Sequence, residues 1–250
     1  MSIETVQNEF GYFGKLPTVG DFIHQVLPQD FATCFHEWLQ LSMAQARESL
    51  GDEFLTYYLN CPSWKFITSP GICGSQAVAG ITIPSVDQVG RYFNFTLATV
   101  LAVETNPIAY VMANRAGLNA MELLALDILD SDYSTEQVEM KVRETSLQFQ
   151  ALHSAQSEVE VNSDHFRISL DQPLPFANQA STLLSHLVTE KLGNFSVWWY
   201  GQEGQTMSNM VVCRGMPSPD IYEQLLTLDS PPDPKEEEMD YIDQIIAGET

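Results

Sequence analysis

The sequence predicts an α+β fold in which a mainly antiparallel central sheet carries helices packed on its faces, in αβα layers. Three observations point there. Strand-like stretches come in adjacent groups separated by helical groups, not in strict β-α-β alternation. Hydrophobic residues make up 44% and charged residues 18% of the 250 positions, enough apolar material to offset the ordering entropy of a core. No period of about 20–50 residues repeats, which sets solenoids and propellers aside. A doubly wound parallel sheet is the competing topology.

Residues 10–15 combine aromatics and glycines as a short strand, then run into the turn Leu16-Pro17-Thr18-Val19-Gly20-Asp21. From Pro28 onward Phe31, Cys34, Phe35, Trp38, Leu39 and Ser42 recur at helical spacing, with Gly51 placed to end the helix. A shorter helical piece over 54–59 follows. Residues 63–68, 76–83 and 92–101 read as strands, punctuated by Pro62, Pro70, Gly71 and Pro84. Residues 106–130 and 135–152 are rich in helix formers and predict two consecutive helices over one face of the sheet. A strand over 165–170, a helix over 177–192, a hairpin pairing 196–200 with 209–213, and a last helix over 219–228 complete a single domain, 1–228. From Asp229 the composition turns to proline and acid (Pro231-Pro232-Asp233-Pro234-Lys235-Glu236-Glu237-Glu238), which predicts a flexible acidic C-terminal tail over 229–250.

With 33 acidic against 11 basic side chains, the formal net charge is -22. A field of that sign repels polyanions, so nucleic acid and anionic lipid are set aside as partners. It attracts a basic protein surface, or mimics nucleic acid for a protein that binds it, and composition does not separate the two. No apolar run reaches the roughly 18–20 residues of a membrane span. The first residues also lack the basic and apolar regions of a secretion signal, so a cytoplasmic location is expected. Cys34, Cys61, Cys73 and Cys213 form no C-x-x-C pair, and reduced thiols are expected.

The motifs of catalysis are missing. There is no G-x-S-x-G elbow, and Gly71-Ile72-Cys73-Gly74-Ser75 offers only a lone thiol between glycines, which reads as turn chemistry. The histidines never form H-x-x-x-H, the Gly-rich phosphate loops are absent, and Gly20-Asp21 and Gly51-Asp52 do not make the acidic turns of a metal-dependent phosphatase. No metal, no cofactor and no enzymatic activity are expected; an enzyme would have to use Cys73 or the carboxylates of Asp21 and Asp87. Lys15, Asp21, Asp87, Arg91 and Arg214 stand out instead, charged residues set among aromatics and glycines. In a chain with so few cations they are expected to pair with one another as a structural network, because an unpaired buried charge is strongly destabilising. In Phe195 to Tyr200, alternation puts Val197 and Trp199 on one face and Trp198 and Tyr200 on the other, with helices expected over both.

Gly11-Tyr12-Phe13-Gly14-Lys15-Leu16-Pro17-Thr18-Val19-Gly20-Asp21-Phe22 resembles the G-[FY]-[FY]-G-K-L-P-x-x-G-D-F signature that begins TagF proteins of type VI secretion clusters. Leu27-Pro28, Trp38-Leu39-Gln40, Pro62-Ser63-Trp64-Lys65-Phe66 and the stretch from Pro84 to Phe93 resemble the family in order and spacing, as do Ser196-Val197-Trp198-Trp199 and Cys213-Arg214-Gly215-Met216-Pro217. The resemblance spans residues 10–228 and is weakest over 103–164. It implies a post-translational repressor of apparatus assembly that binds a secretion component such as the forkhead-associated scaffold Fha, and it supplies no catalytic residues. The alternative is a structural adaptor or acidic mimic whose tail engages a basic protein surface.

Overall fold

The computed structural model describes residues 9–103, 105–148, 157–161, 166–170, 176–201 and 209–228. Strands β1 (Phe10–Gly14) and β2 (Ile23–Gln25) precede helices α1 (Gln29–Leu50) and α2 (Phe54–Asn60). Strands β3 (Trp64–Thr68), β4 (Val78–Ile83) and β5 (Phe95–Val100) follow, then helices α3 (Pro107–Ala113), α4 (Arg115–Asp130) and α5 (Thr135–Gln148). The chain continues through β6 (Ser157–Val161), β7 (Phe166–Leu170), α6 (Phe176–Leu192), β8 (Phe195–Trp199), β9 (Met210–Arg214) and α7 (Pro219–Thr227). Seven strands form one sheet in the order β2-β1-β5-β4-β3-β8-β9, and every neighbouring pair is antiparallel. The parallel alternative is therefore excluded, and β6 and β7 make a separate hairpin.

Alternation along the strands builds two cores, one on each face. Tyr12, Ile67, Ala79, Ile81, Leu97, Phe195 and Val197 point to one layer, where Leu118, Met121, Ala125 and Ile128 of α4 and Val138 and Val142 of α5 cover them. Phe13, Trp64, Phe66, Val78, Ala98 and Trp198 point to the other, beneath α1, α2 and α7. Here α1 presents Phe31, Phe35, Leu39, Met43 and Ala46 as one buried stripe, each large side chain contributing about 1.5–3 kcal/mol on burial. At the centre of the sheet, a Cβ on Gly80 would meet the Leu97 carbonyl at 2.3 Å, so β4 and β5 approach this closely only with glycine there.

Several elements differ from the sequence expectation. The helix anticipated over 106–130 is two, broken at Asn114 (φ -113, ψ 29), whose side chain donates to the Tyr110 carbonyl at 3.0 Å. That bond competes with continued helix at this point. The helix anticipated over 135–152 is α5 to Gln148, and the remainder, like the tail over 229–250, lies outside the described residues. Strands β2 and β6 are additional; β2 has three residues, too few for a legible alternation.

The cysteine expectation is corrected for one pair. Cys34 and Cys73 form a disulfide with their Cα atoms 5.3 Å apart, although 39 positions separate them. Helix α1 lays Cys34 against the turn that carries Cys73, and proximity of this kind depends on packing, not on spacing in the chain. Cys61 and Cys213 are not disulfide-bonded.

Candidate functional site

The signature loop owes its course to one glycine. At Gly14 (φ 131) a Cβ would stand 2.1 Å from the Asn94 carbonyl, so β1 can end against the start of β5 only there. The next residue, Lys15, turns inward and is buried. Its Nζ lies 2.6 Å from Oδ2 of Asp87, and Arg91 Nε reaches the same oxygen at 2.7 Å. The other oxygen, Oδ1, accepts from the backbone N–H groups of Val89 at 3.0 Å and Arg91 at 2.8 Å. Arg91 also donates through Nη2 to the Gly20 carbonyl, and the Ser85 hydroxyl donates to the Lys15 carbonyl at 2.9 Å. One carboxylate thus ties the loop after β1 to the turn before β5.

Burial alone would push the Asp87 carboxyl up; the hydrogen bonds from Lys15, Arg91 and Val89 outweigh it and hold the group well below the usual carboxylate range. The carboxylate stays ionised at neutral pH with both oxygens engaged.

Beside this network opens a pocket of about 330 Å³ lined by Lys15, Phe22, His36, Met43, Arg47 and Tyr92, among others. Phe22 is 44% exposed yet held from several sides. Its ring lies 4.9 Å from Phe93 and 5.1 Å from His36, edge to face in both cases, and the Lys15 ammonium sits 5.1 Å from its centroid. Across the opening, the Arg47 guanidinium lies 5.3 Å from the Phe54 ring and 6.0 Å from Tyr92. Aromatic faces and cations attract one another, so these contacts fix the wall of the pocket in position. The result is a cationic, aromatic opening on a molecule of net charge -22, suited to seat an apolar side chain that carries a carboxylate beside it.

The structure thus brings together Lys15, Asp87 and Arg91 from the sequence candidates. Gly20 joins through its carbonyl, while Leu16 is core and Pro17 is exposed. Two members of the anticipated network fall outside it. Asp21 is exposed at the surface, and Arg214 lies on β9, where its guanidinium donates to the Lys191 carbonyl at the end of α6, 3.3 Å away. A loop residue and a strand residue at opposite ends of the sheet order cannot share one ion pair. Trp198 is core, whereas Trp199 is half-buried.

Sequence reasoning missed His36 and Arg47, although positions 36, 40 and 47 flank the core stripe of α1 at Met43, a legible signal. It also missed the buried pair of Lys65 on β3 and Glu122 on α4, 2.6 Å apart, with the Ser63 hydroxyl donating to the same carboxylate. Nothing in their spacing announces it. Among the described residues no group of three or more His, Cys, Asp or Glu is placed to hold a metal ion, and no helix is long and apolar enough to cross a membrane. Cys73, in the disulfide, has no free thiol to act as a nucleophile.

The sequence that folds into this antiparallel α/β/α sandwich matches a family model described as type VI secretion system-associated, which gives the class. Residues 11–145 match the model of the TagF N-terminal domain, and the chain belongs to the TagF family. It is also similar to the crystal structure of PA0076 from Pseudomonas aeruginosa PAO1 at 2.05 Å resolution, with 26% identity and a TM-score of 0.71 over 90% of this chain and 97% of that one. Comparison with curated proteins gave no match.

Proposed function

We propose that this chain is a non-enzymatic, post-translational repressor of type VI secretion assembly that binds a component of the apparatus through the pocket around Phe22 and Arg47. The observation that carries the reading is the convergence of the family's signature loop on a solvent-open aromatic and cationic pocket. A rigid scaffold that leaves one aromatic ring and one guanidinium at the surface is the arrangement interface anchors use. The preferred partner is a forkhead-associated scaffold of the Fha type, offering an apolar side chain flanked by acid.

The test is a pull-down of the tagged full chain from its own cells, unmodified and as the Phe22→Ala/Arg47→Glu variant, alongside a secretion assay. The unmodified chain is expected to capture the scaffold and, in excess, to suppress secretion; the variant should do neither while melting as the unmodified chain does. Capture that survives both substitutions, or the absence of any apparatus subunit, sinks the proposal.

The reading places the chain in the cytoplasm, and the Cys34–Cys73 bond bears against that location because disulfides are rare there. Acid-quenching the cells and alkylating the unfolded chain decides the point, because Cys73 is buried in the folded one. Labelling of all four cysteines fits a cytoplasmic, reduced chain, and labelling confined to Cys61 and Cys213 points to an oxidising compartment.

A further inference from the structure

A second opening lies on the opposite face of the sheet, at the corner formed by β8 and β9. It is a groove of about 530 Å³ with Val197, Trp199 and Val212 on its floor and Met112, Leu184 and Val188 along its walls. Its apolar rim faces solvent: Met210 is 67%, Leu184 51% and Val212 41% exposed. Among the described residues, strand β9 is the outermost strand of the sheet at this end, with no further strand beside it. Contiguous exposed apolar surface of this kind calls for an occupant.

The course of the chain names one. Helix α7 lies on the other face, but its last turn ends at the same end of the sheet as the groove. The Leu225 carbonyl is 3.7 Å from Cys61 Sγ, just before β3, and Lys65 at the start of β3 reaches the Gly201 carbonyl at the end of β8, 3.5 Å away. Lys65 and Gly201 both line the groove. The segment 229–250, outside the described residues, leaves from this point. Its first ten positions include Pro231, Pro232 and Pro234; a proline-rich spacer extends about 3.1 Å per residue, so these span about 30 Å.

Beyond the spacer, Met239, Ile242 and Ile246 recur at the spacing of an apolar helix face, with Ile245 on one flank of it and Asp243 on the other, while Asp240 falls off it. Charge agrees with this placement. The segment carries eight Asp and Glu against one Lys, whereas Lys65 and Arg115 line the groove and Arg214 shares a strand face with Met210 and Val212. Lys65 is already paired with Glu122, so the acidity of the segment falls to Arg115 at the groove and Arg214 beside it.

We propose that the segment around Met239–Ile246 folds back and docks in this groove, covering the β8–β9 corner within the same chain. Tethering makes the contact intramolecular, with an effective concentration on the order of millimolar, so a weak apolar helix face suffices. Any partner that uses the corner must first displace the segment. The inference does not depend on the repressor reading and concerns the opposite face of the sheet.

Methyl NMR of the full chain tests it. In the Ile242→Asp/Ile246→Asp variant the resonances of Leu184, Val188 and Val212 are expected to move, while those of Leu39 and Val78 in the other layer stay, equally at low and high protein concentration. A peptide of residues 229–250 added to that variant should return them toward their original positions. It should also bind the variant at least about tenfold more tightly than the unmodified chain, whose groove is already filled. Groove resonances indifferent to the substitutions, a peptide that binds both chains equally or neither, or shifts that grow with protein concentration because a second copy fills the groove, each overturn the proposal.

Discussion

Trp198 and Trp199 are neighbours on one strand and meet opposite fates. Trp198 points into the layer closed by α1 and α7, where it packs 4.9 Å from Trp38 and 5.1 Å from Phe66 and is 1% exposed. Trp199 points to the other face, beyond the reach of full cover from α3 and α6, and lines the open groove. Both positions carry the same residue type. The difference lies in the helices: α7 returns alongside α1 to seal one face, with Trp38 Nε1 donating to the Pro217 carbonyl at 2.8 Å, whereas on the opposite face the described residues leave Met210 and Val212 of β9 exposed. A sheet whose strands alternate apolar residues on both sides needs two covers, and here one is complete over the described residues.

The comparison can be broken by substitutions on either side. Trp198→Ala should cost about 3–5 kcal/mol in urea denaturation, as a large aromatic removed from a closed core does, and Trp199→Ala about 1 kcal/mol. Equal losses would show that the corner is as tightly covered as the opposite face. Glu122→Ala is expected to cost about 3–5 kcal/mol as well, because it leaves the Lys65 ammonium buried without its carboxylate. The joint Lys65→Met/Glu122→Leu replacement should recover most of that loss, since desolvation of both charges disappears with them. A double variant no better than the single one would mean that the pair contributes more than charge compensation.

Acid sharpens the contrast at the Lys15 end. The Asp87 carboxyl is depressed in the folded chain relative to its ordinary value of 3.8, so it contributes stability above that pH. The contribution is lost as pH falls below about 5 toward the folded value. Melting temperature followed down in pH should therefore drop more steeply for the unmodified chain than for Asp87→Asn, which starts lower at neutral pH. Parallel curves would remove Asp87 from the acid response. The smallest effect belongs to Arg214→Ala, a cation on the last carbonyls of α6, which should lower stability by about 0.3–1 kcal/mol, less in high salt. A loss of several kcal/mol would show that Arg214 is a member of a tighter network.

Much of this was legible beforehand because periodicity is a local property. The stripe of α1, the alternation of β4 and β8, and the glycine and proline punctuation around 70–84 each state an element from a few adjacent residues. The Lys15–Asp87–Arg91 grouping was also within reach, since a few cations in an acidic chain must find carboxylates if they are buried. Other features were not. Asn106 to Asp130 reads as one helix until the Asn114 side chain takes a carbonyl, and β2 is too short to show a period.

The sequence by itself determined the class of fold, the family and the composition of the two cores, because each follows from local pattern and from a contiguous motif. Tertiary structure alone decided the strand order, the Cys34–Cys73 bond, the Lys65–Glu122 pair, the joining of Arg47 to Phe22 at one pocket, and the exposure of Trp199. Each of these joins residues far apart in the chain or depends on where a helix stops. Such contacts arise when separate elements bury their apolar faces against one another, and no stretch of adjacent residues records that outcome.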